Sequence, residues 1–253
     1  MSEALVTGKP TVMLVHGAFA DGSSWNLVIE RLQAKGLNVM APAVPLRGIS
    51  SDAAYVAAVL EETPGPVLAV GHSYGGAVIS NAASEAKNVV GLVFVCAFAP
   101  EEGELLGEVA ATSKDSVLMS TLIPHHLAVA NGGQQILEFT IDPERFHDAF
   151  ASDLPEEQAA VLAATQRPVA EPAFSEPSRA PAWEDVPSWA VIATGDKAAG
   201  TDITRSMAER AGSRITEVEG SHLIMVSQPQ AVTDVILAAL DASPTSRRSA
   251  RPG

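Results

Sequence analysis

The chain predicts an α/β protein: a mostly parallel sheet of about six strands, helices on both of its faces, and an inserted helical cap. Three observations carry this reading. Short, continuous apolar runs such as Thr11-Val12-Met13-Leu14-Val15 read as strands covered on both faces, the mark of a parallel sheet. Helix-like segments separate these runs in regular alternation. The alternation stops after Phe98 and resumes at Ser188, and the block between them, roughly 85 residues, has a different rhythm.

The elements follow in order. His16-Gly17 closes the first strand, and Ser23 or Ser24 is placed to cap a helix through Trp25, Leu27, Val28, Ile29 and Leu32 that stops near Gly36. Asn38-Val39-Met40-Ala41 reads as a second strand, ended by Pro42 and Pro45, and Ser50-Ser51-Asp52 opens a helix carrying Tyr55, Val56, Val59 and Leu60. Val67–Val70 is a third strand; a tight turn over 71–76 leads into a helix over 77–83. Val89–Phe98 is so apolar that it reads as a central strand. From Pro100 to Pro187 there are helical patches, many prolines and no convincing strand. A structureless stretch of that length is improbable, so the block must carry its own helices, and its place after a central strand suggests a cap over the strand ends. Alternation returns with the strand Ser188–Thr194, a helix over Thr204–Ala211, the strand Arg214–Val218, a loop over Glu219–His222 and a last helix over Pro229–Leu240. The expected organisation is a core of 1–99 and 188–241, a cap of 100–187, and a tail of 242–253 whose near lack of apolar residues predicts disorder.

Composition narrows the function classes. With 253 residues and 47% apolar content, the chain can bury a sizeable core. No apolar run approaches the ~18 residues that span a bilayer. The start lacks a basic region followed by a long apolar segment, so a cytoplasmic protein without a signal peptide is expected. Cys96 is the only cysteine, which rules out an intrachain disulfide and a cysteine-rich zinc site. There is no phosphate-binding Walker loop, GxGxxG fingerprint or HExxH, so neither nucleotide, metal nor other cofactor is expected. A formal net charge of −14 argues against nucleic acid as a partner and reads most plainly as solubility. Oligomeric state is left open.

The most informative stretch is Gly71-His72-Ser73-Tyr74-Gly75-Gly76. A strand, a sharp turn with a central serine and then a helix is the context that makes G-x-S-x-G a nucleophile elbow. Glycine is needed two residues before and after the serine because strand and helix backbones pass close there. Three further segments accompany it: His16-Gly17-Ala18-Phe19 after the first strand, Gly195-Asp196 after a late strand, and Gly220-Ser221-His222 after the last one. On these segments the chain resembles the α/β-hydrolases over about residues 11–241, and among them small capped serine esterases of the methylesterase and hydroxynitrile-lyase type. The antiparallel pair of strands that opens such folds is absent or much reduced, since the first strand already leads to His16-Gly17.

The resemblance implies the chain order nucleophile, acid, base, and so a triad of Ser73, Asp196 and His222. A serine hydroxyl needs a base within hydrogen-bond reach, and a near-neutral imidazole can take its proton and return it to the leaving group. His16 and His72 lie inside the motifs and suit loop bracing; His125, His126 and His147 fall in the cap. Asp196 follows a strand end, Asp202 suits helix capping better, and Glu101 and Glu102 are the reserve acids. Gly200 stands where such enzymes often have a proline. Backbone N–H groups of Tyr74 and Ala18, with Phe19 as the substitute for Ala18, are the expected oxyanion donors. Phe19, Phe98, Leu122, His125, Phe146, Phe150 and Leu223 are the candidate lining of a substrate pocket, with Trp25 and Met225 beside them; each can equally be core.

The reaction expected is hydrolysis of a carboxylic ester of a small or medium apolar molecule through an acyl-enzyme. Three other outcomes use the same scaffold. A hydroxynitrile lyase or C–C hydrolase would share the triad, but lyases of this type use a pocket lysine, and only Lys114 in the cap and Lys197 beside Asp196 are available. A haloperoxidase-like side activity needs no further cofactor. A non-catalytic small-molecule binder could retain all three residues. Epoxide hydrolases and haloalkane dehalogenases need aspartate at the elbow, where this chain has Ser73.

Overall fold

Continuous apolar strands assemble into a sheet here because helices cover both of its faces. The computed structural model describes residues 10–128, 135–179 and 181–243. In chain order they form β1 (Thr11–Val15), α1 (Asn26–Ala34), β2 (Asn38–Met40), α2 (Ile49–Glu62), β3 (Val67–His72), α3 (Tyr74–Ala83) and β4 (Val89–Val95). An insert follows with α4 (Leu106–Ala111), β5 (Leu122–Leu127), β6 (Ile136–Ile141), α5 (Pro143–Phe150), α6 (Glu156–Ala164), β7 (Val169–Ala170) and α7 (Pro172–Ser175). The chain returns through β8 (Ser188–Ala193), α8 (Thr201–Arg210), β9 (Arg214–Val218), α9 (Ile224–Ser227) and α10 (Pro229–Ala242).

The main sheet has six parallel strands in the order β2-β1-β3-β4-β8-β9. The inner strands β1, β3 and β8 are buried along their whole length, whereas the edges β2 and β9 are half-exposed. This is the burial that the apolar runs demand: two covered faces inside, one open side at each edge. α1 packs with α10, and α2 with α3. From β1 the chain steps outward to β2 and then returns to place β3 on the other side of β1. That reversal opens a crevice at the carboxyl ends of β1 and β3, where a doubly wound sheet binds its ligands. Val15 pairs with Gly71, so the two loops that follow leave the sheet side by side.

Several boundaries differ from those the sequence predicts. β4 ends at Val95, not Phe98, because Cys96 turns the chain with φ 46°. Asp21, rather than Ser23 or Ser24, caps the turn before α1 by accepting the Ser23 N–H at 2.8 Å. Asp202 lies inside the first turn of α8, which starts after Gly200. Its carboxylate instead takes the Ser113 hydroxyl at 2.6 Å and the Lys114 N–H at 2.8 Å, and so ties the insert to α8.

The insert is not purely helical. β5, β6 and β7 form a separate three-stranded antiparallel sheet, which corrects the expectation of helical patches without strands. Pro124 and the paired His125 and His126 hide β5 from a reading by propensity; Pro124 is tolerated because β5 is an edge strand. The insert is fastened to the loop between β2 and α2. Ala170 N–H bonds Leu46 O at 2.9 Å, Arg167 Nη1 bonds Val44 O at 3.0 Å, and Arg47 Nη1 meets Glu138 at 2.6 Å. Among the described residues no helix is long and apolar enough to cross a membrane. Of the tail expected to be disordered, residues 244–253 lie outside the described residues.

Leu14, fully buried in β1, tests this packing. Leu14→Ala is expected to cost about 2–5 kcal/mol in a denaturant titration. A loss below about 1 kcal/mol would contradict a central β1 covered on both faces.

Candidate active site

Ser73 stands between β3 and α3 with φ 52° and ψ −122°, outside the regions that non-glycine residues favour. Backbone bonds hold it there from both sides. Its N–H donates to Val95 O at 3.1 Å, and its carbonyl accepts from Gly76 N–H at 3.0 Å and Phe98 N–H at 3.2 Å. The glycines answer to space. A Cβ on Gly71 would lie 2.5 Å from Gly75 O, and a Cβ on Gly75 would lie 2.5 Å from Val15 O, both impossible contacts. Tyr74 is the first residue of α3, so its N–H has no acceptor within the helix. Its buried hydroxyl donates to Asp52 Oδ2 at 2.8 Å, which pins the start of α3 to α2. Burial raises the Asp52 carboxyl pKa, while the Tyr74 hydroxyl and the Arg47 N–H work to lower it.

The loop after β1 lies against this turn: a Cβ on Gly17 would come within 2.8 Å of Ser73 Cβ. Ala18 follows, buried, and then Phe19 at φ 60°. His16 braces the loop. Its Nε2 accepts the Val44 N–H at 3.0 Å, which puts its proton on Nδ1, where it donates to Gly17 O at 2.9 Å. His72 braces a different loop: its Nε2–H donates to the carbonyl of His222 at 3.0 Å. Burial depresses the pKa of both imidazoles, most strongly that of His72, with the nearby His222 as its second cause.

Asp196 and His222 meet although 26 residues separate them. His222 Nδ1 lies 2.8 Å from Asp196 Oδ2, and both side chains are buried. Asp196 Oδ1 accepts the N–H groups of Ala198 and Ala199 at 2.9 and 3.0 Å. The carboxylate therefore has its lone pairs satisfied as an anion, and it holds the imidazole proton on Nδ1. The lone pair of His222 Nε2 is left as the basic position. Nε2 is buried and has no hydrogen-bond partner among the described residues, Ser73 Oγ included. Glu101 and Glu102 are exposed instead, with Glu101 paired to Arg210 at 3.3 Å, so neither competes for the imidazole.

A small, partly open cavity of about 20 Å³ is lined by Phe19, Phe146, Phe150 and Leu223 with Leu162, Thr165 and the polar Asp21, Ser23 and Ser24. The Phe150 ring packs 4.8 Å from the His222 ring and 6.3 Å from Phe19. Phe98, Leu122 and His125 lie elsewhere. Phe98 is tied behind Ser73 through its N–H, Leu122 is a half-buried residue of β5, and His125 Nε2 is bonded to Thr140 Oγ1 at 2.8 Å. Trp25 and Met225 are fully buried core residues. His126 is exposed on β5, and His147 bonds Leu154 O at 2.9 Å. Sequence reasoning missed Asp52, Leu162 and Asp153, which approach from other elements and carry no local signal.

A profile of the Alpha/beta hydrolase family matches residues 12–235, and the chain belongs to this family. Comparison with curated protein sequences finds no match. Solved structures agree on the fold. Polyneuridine aldehyde esterase superposes with a TM-score of 0.78 at 18% identity, covering 92% of this chain and 100% of that chain. A pyrethroid hydrolase from Sphingobium faniae JZ-2 gives 0.74 at 21% identity over 92% and 97% of the two chains. Tomato methylketone synthase I, complexed with 2-tridecanone, gives 0.74 at 20% identity over 93% and 99%.

The two buried imidazoles predict how stability depends on pH. Each is neutral in the folded chain, while in the unfolded chain each takes up a proton near pH 6.5. Their contribution is complete above that pH and is lost as pH falls through it. Asp52 pulls the other way, one group against two. Unfolding midpoints are expected to drop between pH 7 and pH 5; a flat profile over that window would contradict buried neutral His16 and His72.

Proposed function

We propose that this protein is a serine hydrolase that cleaves carboxylic esters of small to medium apolar molecules. One observation carries the reading most: a buried Asp196–His222 pair whose Nε2 has no hydrogen-bond partner among the described residues, with the His222 ring 4.6 Å from the ring of His72, the residue before a serine held at φ 52° on a strand-to-helix turn. Family membership and the esterase and hydrolase names of the structural neighbours support it at the level of class.

In the reaction, Ser73 Oγ bonds to the ester carbonyl carbon while its proton passes to His222 Nε2. That transfer needs Oγ to swing to within about 3 Å of Nε2. Negative charge moves to the carbonyl oxygen, which accepts hydrogen bonds from the Tyr74 and Ala18 N–H groups. Asp196 stabilises the imidazolium. The C–O bond to the alcohol then breaks, and the alkoxide leaves with the proton from His222 Nε2. Water enters, gives a proton to the same nitrogen and attacks the acyl carbon. Collapse of this second tetrahedral species returns the proton to Ser73 and frees the acid. The insert acts as the cap: Phe146, Phe150 and Leu162, which line the small cavity, are the apolar wall offered to the acyl chain.

Hydrolysis is favoured over cyanohydrin cleavage because no lysine among the described residues lines the cavity. Lys197 is exposed beside Asp196, and Lys114 is exposed where the insert meets α8.

Two measurements test the reading. Wild-type protein is expected to hydrolyse p-nitrophenyl acetate with an acyl-enzyme burst and to take up a fluorophosphonate on Ser73. Ser73→Ala should lose about 10⁴-fold or more in kcat. Retained turnover in that variant would rule the mechanism out, and an unlabelled Ser73 would favour a binding protein. The small cavity also predicts a preference for acetyl over long acyl chains. Leu162→Ala should shift that preference toward longer esters by about tenfold in relative kcat/KM; an unchanged chain-length profile would place the acyl group elsewhere.

A further inference from the structure

The base-bearing loop, residues 219–222, leaves β9 with little secondary structure of its own, yet His222 must be held closely for proton transfer. Its restraints have two origins. From the sheet, Gly195 N–H bonds Gly220 O at 3.0 Å and His72 Nε2 bonds His222 O at 3.0 Å. From the insert, the turn after α5 brings up Asp153, 68 residues away in sequence. Its Oδ2 accepts the Ser221 N–H at 2.9 Å and its Oδ1 accepts the Ser221 hydroxyl. A Cβ on Gly220 would lie 2.7 Å from Asp153 Oδ2, so the carboxylate sits directly against the loop backbone.

Two acceptors on one carboxylate hold both the backbone and the side chain of the residue before His222. They set the orientation of the Gly220–Ser221 peptide plane and of the Ser221 side chain, one residue before His222. Burial works against the charge on Asp153, and the hydrogen bonds to its carboxylate, that of the Ser221 hydroxyl foremost, together outweigh it and leave the carboxyl below its ordinary value. The helix that leads into this turn touches the imidazole through Phe150, the last residue of α5, whose ring lies 4.8 Å from the ring of His222. Phe150 and Phe146 of α5 also wall the cavity beside the site. One helix and its turn thus touch the cavity, the imidazole face and the backbone that carries the imidazole.

We infer that Asp153 is a positioning residue: through Ser221 it sets the base, and it makes the alignment of His222 depend on where the insert sits. The inference rests on the serine-hydrolase reading above. A plain structural tether would give a different result, a loss of stability with normal turnover by the folded molecules.

The experiment compares Asp153→Ala, Asp153→Asn and Ser73→Ala on p-nitrophenyl acetate, with melting temperature and fluorophosphonate titration of competent sites for each. Asp153→Ala is expected to lower kcat per competent site by about 10–100-fold while KM moves by less than about threefold, since misplacing the base weakens only the transition state. Asp153→Asn keeps an oxygen for the Ser221 N–H and should recover about fivefold of that loss. If Asp153→Ala does not fold, the asparagine variant carries the test: a kcat between about 2- and 20-fold below wild type supports the inference. Wild-type kcat per competent site in whichever variant folds overturns it, as does a rise in KM alone. If Ser73→Ala stays active, the mechanism and this inference fall together. An inactive Ser73→Ala beside an Asp153 variant with normal turnover removes only this inference.

Discussion

The backbones of β1, β3 and α3 meet at a distance that leaves no room for a single extra carbon, and most of the site follows from that contact. Gly71 lies against Gly75, and Gly75 against the carbonyls of Val15 and His16. The chain can pass through this gap only by a sharp reversal, and Ser73 takes the reversal at its apex. The conformation is unfavourable for serine by about 1–3 kcal/mol. It persists because the N–H and carbonyl of Ser73 are both bonded into the exit of β4, so relaxing the residue would break those bonds as well. Apolar packing of the sheet thereby supplies the energy that keeps Ser73 in this conformation at the turn between strand and helix.

The same principle recurs along the carboxyl edge. Among the described residues, the non-glycine residues with positive φ are Phe19, Leu46, Ser73 and Cys96, and they follow β1, β2, β3 and β4 in turn. Each strand is held in the sheet, and the loop beyond it is bent sharply at its end. Strain of this kind collects where a rigid scaffold over-determines a loop. Cys96 belongs to this pattern by its backbone only: burial raises its thiol pKa strongly, which leaves it an inert side chain behind Asp196.

Charge inside the site is balanced before any substrate arrives. Asp196 would be costly to bury alone, since an unpaired carboxylate loses its hydration. Two backbone N–H groups just before α8 and the Nδ1–H of His222 replace that hydration. The neighbouring His16 and His72 are kept neutral by burial, so they add hydrogen bonds without adding positive charge beside the base. The insert is fastened to the loop after β2 and to the loop that carries His222.

Reading the residues in order recovers the parts that local physics controls. Continuous apolar runs announce β1, β3 and β4, and Gly71 and Gly75 announce the turn, because a period of apolar residues or the lack of a Cβ acts within a few positions. The positions of Asp196 and His222 after late strands were legible through family likeness, since nothing between them in the chain shows that they touch. Other features were beyond a linear reading. The strands of the insert stabilise one another by pairing across about 9 to 32 residues, as Leu122 does with Ile141 and Glu138 with Ala170, and Pro124 disguises the first of them. The lining of the cavity depends on which face α5 and α6 present to Phe19, which assigned Phe146 and Phe150 to it and left out Phe98, Leu122 and His125. Asp153 reaches Ser221, and Asp52 reaches Tyr74, only after the sheet has folded. Such contacts form between side chains of elements that composition and period describe one at a time, and their meeting is a property of packing in three dimensions.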